Sequence, residues 1–278
     1  MQVGMLTAPF SREPLSKAIQ FAGEAGFDTL EITVTPGGPH FDPRQVSPRA
    51  ADELHAALRA NRLEVSSLAY YANVTHADPA ERETVLGNLR ATIDAAATLG
   101  VGIVCTMAGH PTPGKTKMQM IEEEVPKALG SVVEYAGSKG IKIALENWFA
   151  TNIQHLGHWD RIFEVIPATN FGLNFDPSHL YHQQIDYLEA VDRFAPRIFH
   201  THAKDCEIKE HRLRYLGNQE RGWWRYVIPG FGKINWGEYI ARLRSVGFDG
   251  VLSIEHEDSA LGREEGFRKG LLHLRQFA

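Results

Sequence analysis

The chain has little cysteine and no long apolar run. Its 278 residues include only two cysteines, Cys105 and Cys206, which are too few for a disulfide framework. The most apolar stretch, residues 95–107, is interrupted by Gly100 and Gly102 and is shorter than the roughly 20 residues that cross a bilayer. The first residues lack the basic and apolar pattern of a secretory signal. These absences predict a cytoplasmic protein without a membrane segment.

An excess of positive charge is also missing. The chain carries 34 acidic and 29 basic residues, for a formal net charge of -5. This balance argues against nucleic acid and anionic membranes as partners, because both recruit basic surfaces. The 43% hydrophobic and 23% charged content is typical of an ordinary globular domain.

One pattern returns along the whole chain: a helical stretch, a turn residue, and then four to six β-prone residues. Segments such as EAGFDTLEI, SKGIKIALE and SVGFDGVLSIE carry it. Together with an opening strand at Val3–Leu6 they make eight βα units, which predict a single-domain (β/α)8 TIM barrel over residues 1–278. A doubly wound open sheet is the alternative, although no glycine-rich dinucleotide fingerprint follows the first strand.

Acidic residues end several of the predicted strands. Side chains alternate along a strand, so the large apolar residues of one parity pack on the helices and the other parity faces the barrel axis. This places Glu146, Asp176 and Glu255 inward at the ends of the fifth, sixth and eighth strands. The seventh strand places His200 and His202 on its inward parity, with His202 at the carboxyl end, where barrels carry their chemistry.

Three carboxylates so close together repel one another unless a cation lies among them. Any one of these residues can be explained as a strand-end cap or a salt-bridge partner. Taken together, Glu146, Asp176, His202 and Glu255 all face inward at the carboxyl ends of their strands, which favours a divalent metal site. A ligand set of mostly oxygen suits Mn²⁺ first, with Mg²⁺, Co²⁺ or Zn²⁺ as alternatives.

At these positions the sequence resembles the xylose isomerase-like TIM-barrel superfamily, and within it the sugar (phosphate) isomerase/epimerase group. The matching motifs lie in the C-terminal half: ALEN (144–147), DPSH (176–179), HAKD (202–205), PGFGKINW (229–236) and SIEHED (253–258). The resemblance implies that Glu146, Asp176, His202 and Glu255 bind one metal ion, that Glu146 and Glu255 also act as the catalytic acid and base, and that His179 contacts substrate.

Such a site predicts proton abstraction next to a carbonyl through a metal-bound enediolate. Return of the proton makes the enzyme a sugar isomerase or epimerase, whereas loss of a β-hydroxyl makes it a keto-sugar or inosose dehydratase or lyase. The expected substrate is a small sugar or cyclitol, and the absence of an evident phosphate-binding motif favours one without phosphate. Further predicted substrate contacts are Trp148 as an aromatic platform, Arg225, His110 and Glu31.

Two functions of other classes stay open. An apurinic endonuclease of the same superfamily needs further metal ligands, including an Asp-x-His after the seventh strand, which the segment AKDCEIKEH does not supply. A non-catalytic sugar-binding barrel is the second, and an intact pair of glutamates argues against it. The resemblance leaves a homo-oligomer open.

Overall fold

Eight parallel strands close into a barrel in the computed structural model, which describes residues 1–278. The predicted (β/α)8 fold is confirmed, and the strand order around the barrel is β1-β10-β7-β6-β5-β4-β3-β2. The barrel strands are β1 (Gln2–Leu6), β2 (Thr29–Thr33), β3 (Glu64–Ala69), β4 (Ile103–Met107), β5 (Lys142–Glu146), β6 (Phe171–Phe175), β7 (Ile198–Ala203) and β10 (Val251–Ile254).

Helices surround the barrel. They are α1 (Leu15–Ala25), α2 (Pro48–Ala60), α3 (Pro79–Leu99), α4 (Lys117–Gln119), α5 (Val125–Ser138), α6 (Leu156–Val165), α7 (Ser178–Tyr181), α8 (Tyr187–Phe194), α9 (Glu210–Leu216), α10 (Trp236–Ser245) and α11 (Arg263–Leu274). Short 3-10 helices lie at Ala8–Phe10, Pro43–Gln45 and Ala195–Arg197, and a π-helical turn at Met120–Glu124 joins α4 to α5. None of these helices has both the length and the apolar character that a bilayer crossing requires.

Local sequence signals set the helix ends. Asp78 caps α3 by accepting hydrogen bonds from the main-chain N–H groups of Ala80 and Glu81, and Pro79 occupies the first helical position, where its missing N–H costs nothing. Gly100 ends the same helix in the left-handed conformation, at φ 67°. The chain then turns directly into β4.

The two faces of the strands differ as the alternation predicts. The outer face joins the helices in a core of 62 buried apolar residues. Inside the barrel a small separate cluster, Leu6, Ala69, Cys105 and Ala144, fills the axis. Buried polar side chains such as Glu31 and His200 share the interior with this cluster, and the carboxyl end of the barrel forms the floor of a site.

A two-stranded hairpin lies in the long connection between β7 and α10, residues 204–235. Strands β8 (Asp205–Ile208) and β9 (Trp224–Val227) pair only with each other, in antiparallel register. Helix α9 lies between them. The hairpin stands over the carboxyl end of the barrel and contributes aromatic side chains to its mouth.

Candidate metal centre and active site

The four residues predicted as metal ligands lie together. One carboxylate oxygen each from Glu146, Asp176 and Glu255 and one ring nitrogen of His202 are all within 4.8 Å of one another. They come from the ends of β5, β6, β10 and β7, which are neighbours in the barrel. Glu146 and Glu255 stand on the two outer strands of these four and therefore flank the other two residues.

Two atoms of this group have no hydrogen-bond partner although they are buried: Asp176 Oδ2 and His202 Nδ1. Lys204 Nζ lies 3.3 Å from the first and Glu255 Oε2 lies 3.0 Å from the second, but neither contact has the angles of a hydrogen bond. Unsatisfied buried polar atoms are costly. Three carboxylates and an imidazole whose free atoms converge fit a divalent cation with a preference for oxygen.

Lys204 places an ammonium group inside this cluster. Its side chain is 1% exposed, and Nζ lies 2.6 Å from Glu255 Oε2 and 3.1 Å from Glu257 Oε2. Burial alone lowers the pKa of Lys204, but the carboxylates of Glu255, Asp176 and Glu257 outweigh burial and raise the pKa well above its ordinary value. The ammonium is therefore charged and balances part of the negative charge of the site.

Beneath the cluster a buried network holds His202. Glu31 Oε2 lies 3.1 Å from His202 Nε2 and also accepts a hydrogen bond of 2.8 Å from the Ser253 hydroxyl. Tyr71 donates a hydrogen bond of 2.6 Å to Glu31 Oε1. Burial raises the pKa of Glu31, but the charges of His202 and His200 and these hydrogen bonds outweigh it and lower the pKa to about 2. Glu31 is thus an ionised acceptor that fixes the ring of His202.

A cavity of about 460 Å³ opens above the four residues. It is large enough for one small sugar or cyclitol. Its lining comprises nine residues, which include both glutamates of the cluster: Tyr71, Met107, Glu146, Trp148, His179, Lys204, Tyr226, Glu255 and Glu257.

Of the predicted substrate contacts, His179 and Trp148 line this cavity. His179 Nε2 lies 3.1 Å from Glu146 Oε1, and its Nδ1 lies 2.6 Å from the Tyr226 hydroxyl. The ring of Trp148 meets Phe149 edge-on, with centroids 6.3 Å apart. Both side chains are placed to meet a ligand above the cluster.

The other three predicted contacts lie elsewhere. Glu31 is fully buried below the cluster, where its carboxylate faces protein groups. Arg225 points away from the cavity, because its guanidinium binds Glu207 and Asp258, the latter at 2.6 Å. His110 packs edge-on against Trp148, with centroids 5.5 Å apart, and is not part of the lining. Glu31, Arg225 and His110 therefore do not line this cavity, and a direct contact of each with substrate stays a prediction.

Tyr71, Tyr226 and Lys204 line the cavity and were not assigned to the site as substrate contacts by the sequence analysis. The sequence does indicate an inward position for Lys204, because it lies two residues after His202 and so shares the inward parity of His200 and His202. Tyr71 follows β3 by two residues, and Tyr226 comes from the unpredicted hairpin. The sequence around each tyrosine contains no pattern that marks it as a cavity residue.

Asp205 organises the loop that follows the hairpin. Its two oxygens accept hydrogen bonds of 2.8–3.0 Å from the main-chain N–H groups of Cys206, Gly230 and Ile234 and from the Trp236 indole. A Cβ atom at Gly232 would lie 2.2 Å from Asp205 Oδ1. The PGFGKINW motif therefore wraps around the Asp205 carboxylate and donates three of its four hydrogen bonds.

Curated relatives match most of the chain at low identity. The uncharacterized protein YfiH of Bacillus subtilis (strain 168) is 27% identical, over 99% of each chain. An inosose dehydratase of Clostridium perfringens (strain 13 / Type A) is 26% identical, over 76% of this chain and 75% of its own.

Solved structures share the fold along nearly the whole chain. The IOLI protein with a bound zinc atom superposes with a TM-score of 0.77 at 19% identity, covering 100% of this chain and 99% of its own. The apo form of the 3-keto-D-glucoside 4-epimerase YcjR from E. coli gives 0.75 at 18% identity, covering 99% of each chain. The family model described as xylose isomerase-like TIM barrel matches residues 19–277, and the chain belongs to this family.

Proposed function

We propose that the protein is a divalent-metal-dependent sugar isomerase or epimerase that removes a proton from the carbon next to a carbonyl group. The observation that carries the proposal is the pair Glu146 and Glu255, which flank the cluster and line the same cavity. Two carboxylates on opposite sides of a substrate allow one to take a proton and the other to return one.

Glu146, Asp176, His202 and Glu255 would hold the metal ion. When bound, the cation supplies positive charge that acidifies the C–H next to a carbonyl and stabilises the enediolate. We propose Mn²⁺ because three of the four donors are carboxylates; the zinc in the IOLI structure makes Zn²⁺ the first alternative.

The chain's own residues supply the proton transfers and the positioning. Glu146 or Glu255 takes the proton, and the other glutamate delivers one to the opposite face for epimerisation. Delivery to the neighbouring carbon gives an isomer. His179, between Glu146 and Tyr226, is placed to bind a substrate hydroxyl, while Trp148 offers an aromatic surface for the apolar face of the ring.

Lys204 favours a second candidate function, dehydration of a keto-sugar or inosose. In that reaction a glutamate takes the proton beside the carbonyl, a carbon–carbon double bond forms, and the bond to the β-hydroxyl breaks. The hydroxyl leaves as water with a proton from the ammonium of Lys204, which lines the cavity 2.6 Å from Glu255. The resemblance to an inosose dehydratase supports this alternative.

Deuterium exchange measured by NMR in D2O tests the proposal. The Mn²⁺-loaded protein is incubated with ketohexoses, keto-sugars and inososes, and we expect metal-dependent exchange at the carbon next to the carbonyl. Glu146→Gln should abolish exchange, whereas Glu134→Gln, on the exposed face of α5, should leave it unchanged. The product then separates epimerase, isomerase and dehydratase.

Exchange that persists after chelation of the metal, or in a variant that combines Glu146→Gln with Glu255→Gln, would contradict the mechanism. A protein that binds none of Mn²⁺, Mg²⁺, Co²⁺ and Zn²⁺ would overturn the four-residue metal site itself.

A further inference from the structure

Tyr226 connects the hairpin to one wall of the cavity above the predicted metal ligands. It stands on β9 and lines the same cavity as Glu146 and Glu255. Its hydroxyl lies 2.6 Å from Nδ1 of His179, which belongs to α7, shortly after β6. A residue from outside the barrel therefore contacts the histidine that is proposed to bind a substrate hydroxyl.

The buried ring of His179 depends on protein groups for its hydrogen bonds. The side chain is 1% exposed, so solvent offers it little. Nε2 lies 3.1 Å from Glu146 Oε1 and 3.3 Å from Lys204 Nζ. On the other edge of the ring, the Tyr226 hydroxyl is the hydrogen-bond partner of Nδ1. Without this hydroxyl Nδ1 would be a buried nitrogen with no partner, which is costly.

A hydroxyl suits the Nδ1 position because it both donates and accepts hydrogen bonds. Glu146 only accepts and Lys204 only donates, so Nε2 can serve one or the other according to which ring nitrogen carries the proton. The Tyr226 hydroxyl can turn to complement Nδ1 in both cases. It fixes the orientation of the ring, because an imidazole turned over about its Cβ–Cγ bond would place Cδ2 against Tyr226 and Cε1 against Glu146.

His182 holds the Tyr226 hydroxyl from the other side. Its Nε2 lies 3.4 Å from that hydroxyl, and its ring stacks on Trp224 with centroids 3.9 Å apart and 7° between the planes. Burial, with the nearby charges of His179 and Lys204, lowers the pKa of His182 to about 3. The ring is therefore neutral near neutral pH, with one donor and one acceptor nitrogen, and the hydroxyl is held between two imidazoles.

We infer that Tyr226, supported by His182, is a positioning residue for His179 and thereby determines how tightly a substrate hydroxyl is bound. This inference rests on the proposed function, which places the reacting sugar or cyclitol beside His179. The hydroxyl of Tyr226 makes no hydrogen bond with Glu146 or Glu255. Its removal should therefore weaken binding more than it slows proton transfer.

Tyr226→Phe is the variant for the test, because it removes the hydroxyl and keeps the ring, which lies 4.4 Å from Lys204 Nζ and 4.9 Å from the ring of Trp224. The probes are D-fructose, D-psicose and an inosose, and KM and kcat of metal-dependent deuterium exchange are measured. We expect KM to rise about tenfold, the loss expected for one or two hydrogen bonds, and kcat to change less than about twofold. Tyr215→Phe, on the exposed surface of α9, should leave both constants unchanged.

A double-mutant cycle distinguishes positioning from a direct contact of Tyr226 with substrate. If Tyr226 acts through His179, Tyr226→Phe should raise KM no further once His179→Gln is present, because residues that act together are not additive. The same rise in both backgrounds would overturn the positioning role, and so would an unchanged KM in Tyr226→Phe alone. His182→Phe, which keeps an aromatic ring on Trp224, should raise KM by less than Tyr226→Phe.

NMR of ¹⁵N-labelled histidine rings tests the same contact without substrate, with and without Mg²⁺. Tyr226→Phe should shift the ring nitrogen signals of His179 and broaden or split them, as the ring occupies both orientations, whereas Tyr215→Phe should not. A single sharp set of His179 signals in Tyr226→Phe would overturn the inference, whatever the exchange experiment gives. If these signals respond but no probe exchanges deuterium, Tyr226 positions His179 and the proposed reaction is wrong.

Discussion

Glu31 and His202 meet across the barrel, with Glu31 Oε2 lying 3.1 Å from His202 Nε2. A carboxylate only accepts hydrogen bonds, so Glu31 would hold the proton on Nε2 when a metal ion takes the lone pair of Nδ1. The contact thus directs Nδ1 toward the carboxylates of the site.

Replacing Glu31 by Gln should weaken metal binding about 10- to 100-fold, because the partner of a metal-binding histidine tunes its orientation and basicity. Calorimetric titration of the metal-free protein with Mn²⁺ measures this effect directly. Glu24→Gln, on the exposed side of α1, serves as the control. An unchanged dissociation constant in Glu31→Gln would show that packing alone orients His202.

Replacing Lys204 by Met should have opposite effects on the metal-free protein and on metal binding. Without the ammonium, Glu255, Asp176 and Glu257 repel one another, so the unfolding temperature falls in the absence of metal. The same loss removes a positive charge that opposes a cation, so Mn²⁺ should bind about tenfold more tightly. Thermal unfolding with and without Mn²⁺ measures both. Weaker Mn²⁺ binding would mean that Lys204 holds the carboxylates in place for the metal.

Replacing Asp205 by Asn should destabilise the protein by about 2–4 kcal/mol, because one oxygen that faces two N–H donors becomes an NH₂ group. Urea unfolding measures the change. Asp192→Asn serves as the control, since its partner Arg242 forms an ion pair at the surface, where such pairs contribute about 1 kcal/mol or less. Equal losses in both variants would contradict the central role of Asp205.

His158 should make stability depend on pH. Burial, with the nearby charges of His155 and Lys117, lowers its pKa from 6.5 to about 4. Between these two values the unfolded chain binds a proton that the folded chain does not, so stability falls as the pH drops from 6.5 to 4 and this contribution is constant above 6.5. The slope is at most about 1.4 kcal/mol per pH unit.

Urea unfolding at several pH values checks this prediction. His158→Gln should reduce the slope in that range, whereas replacement of the exposed His211 by Gln should not. The same slope in both variants would assign the pH dependence to other groups.

Much of the site could be predicted because the alternation of side chains is a local property of each strand. Glu146, Asp176, His202 and Glu255 followed from parity and strand ends alone. Lys204 was available to the same argument, since it lies two residues beyond His202. Glu31 has the right parity, but it is the third residue of β2 and therefore lies one layer deeper than the strand ends.

The residues around the mouth could not be predicted because they depend on contacts between distant loops. Arg225 and Tyr226 are neighbours on β9, and the alternation of that strand sends Tyr226 to the cavity and Arg225 to Glu207. Without the hairpin register, in which Arg225 pairs with Glu207, the sequence offers no reason to choose between them.

The hairpin of β8 and β9 exchanges no strand hydrogen bonds with the barrel. Tyr226 therefore lines the cavity above the four predicted metal ligands from a segment that the barrel does not need for closure. Insertions, deletions or grafts within residues 207–227 can alter which molecules are accepted while leaving Glu146 and Glu255, the proposed acid and base, where they are. In this fold the evolution of selectivity is separable from the evolution of reactivity, and libraries confined to that segment are the natural route to redirecting it.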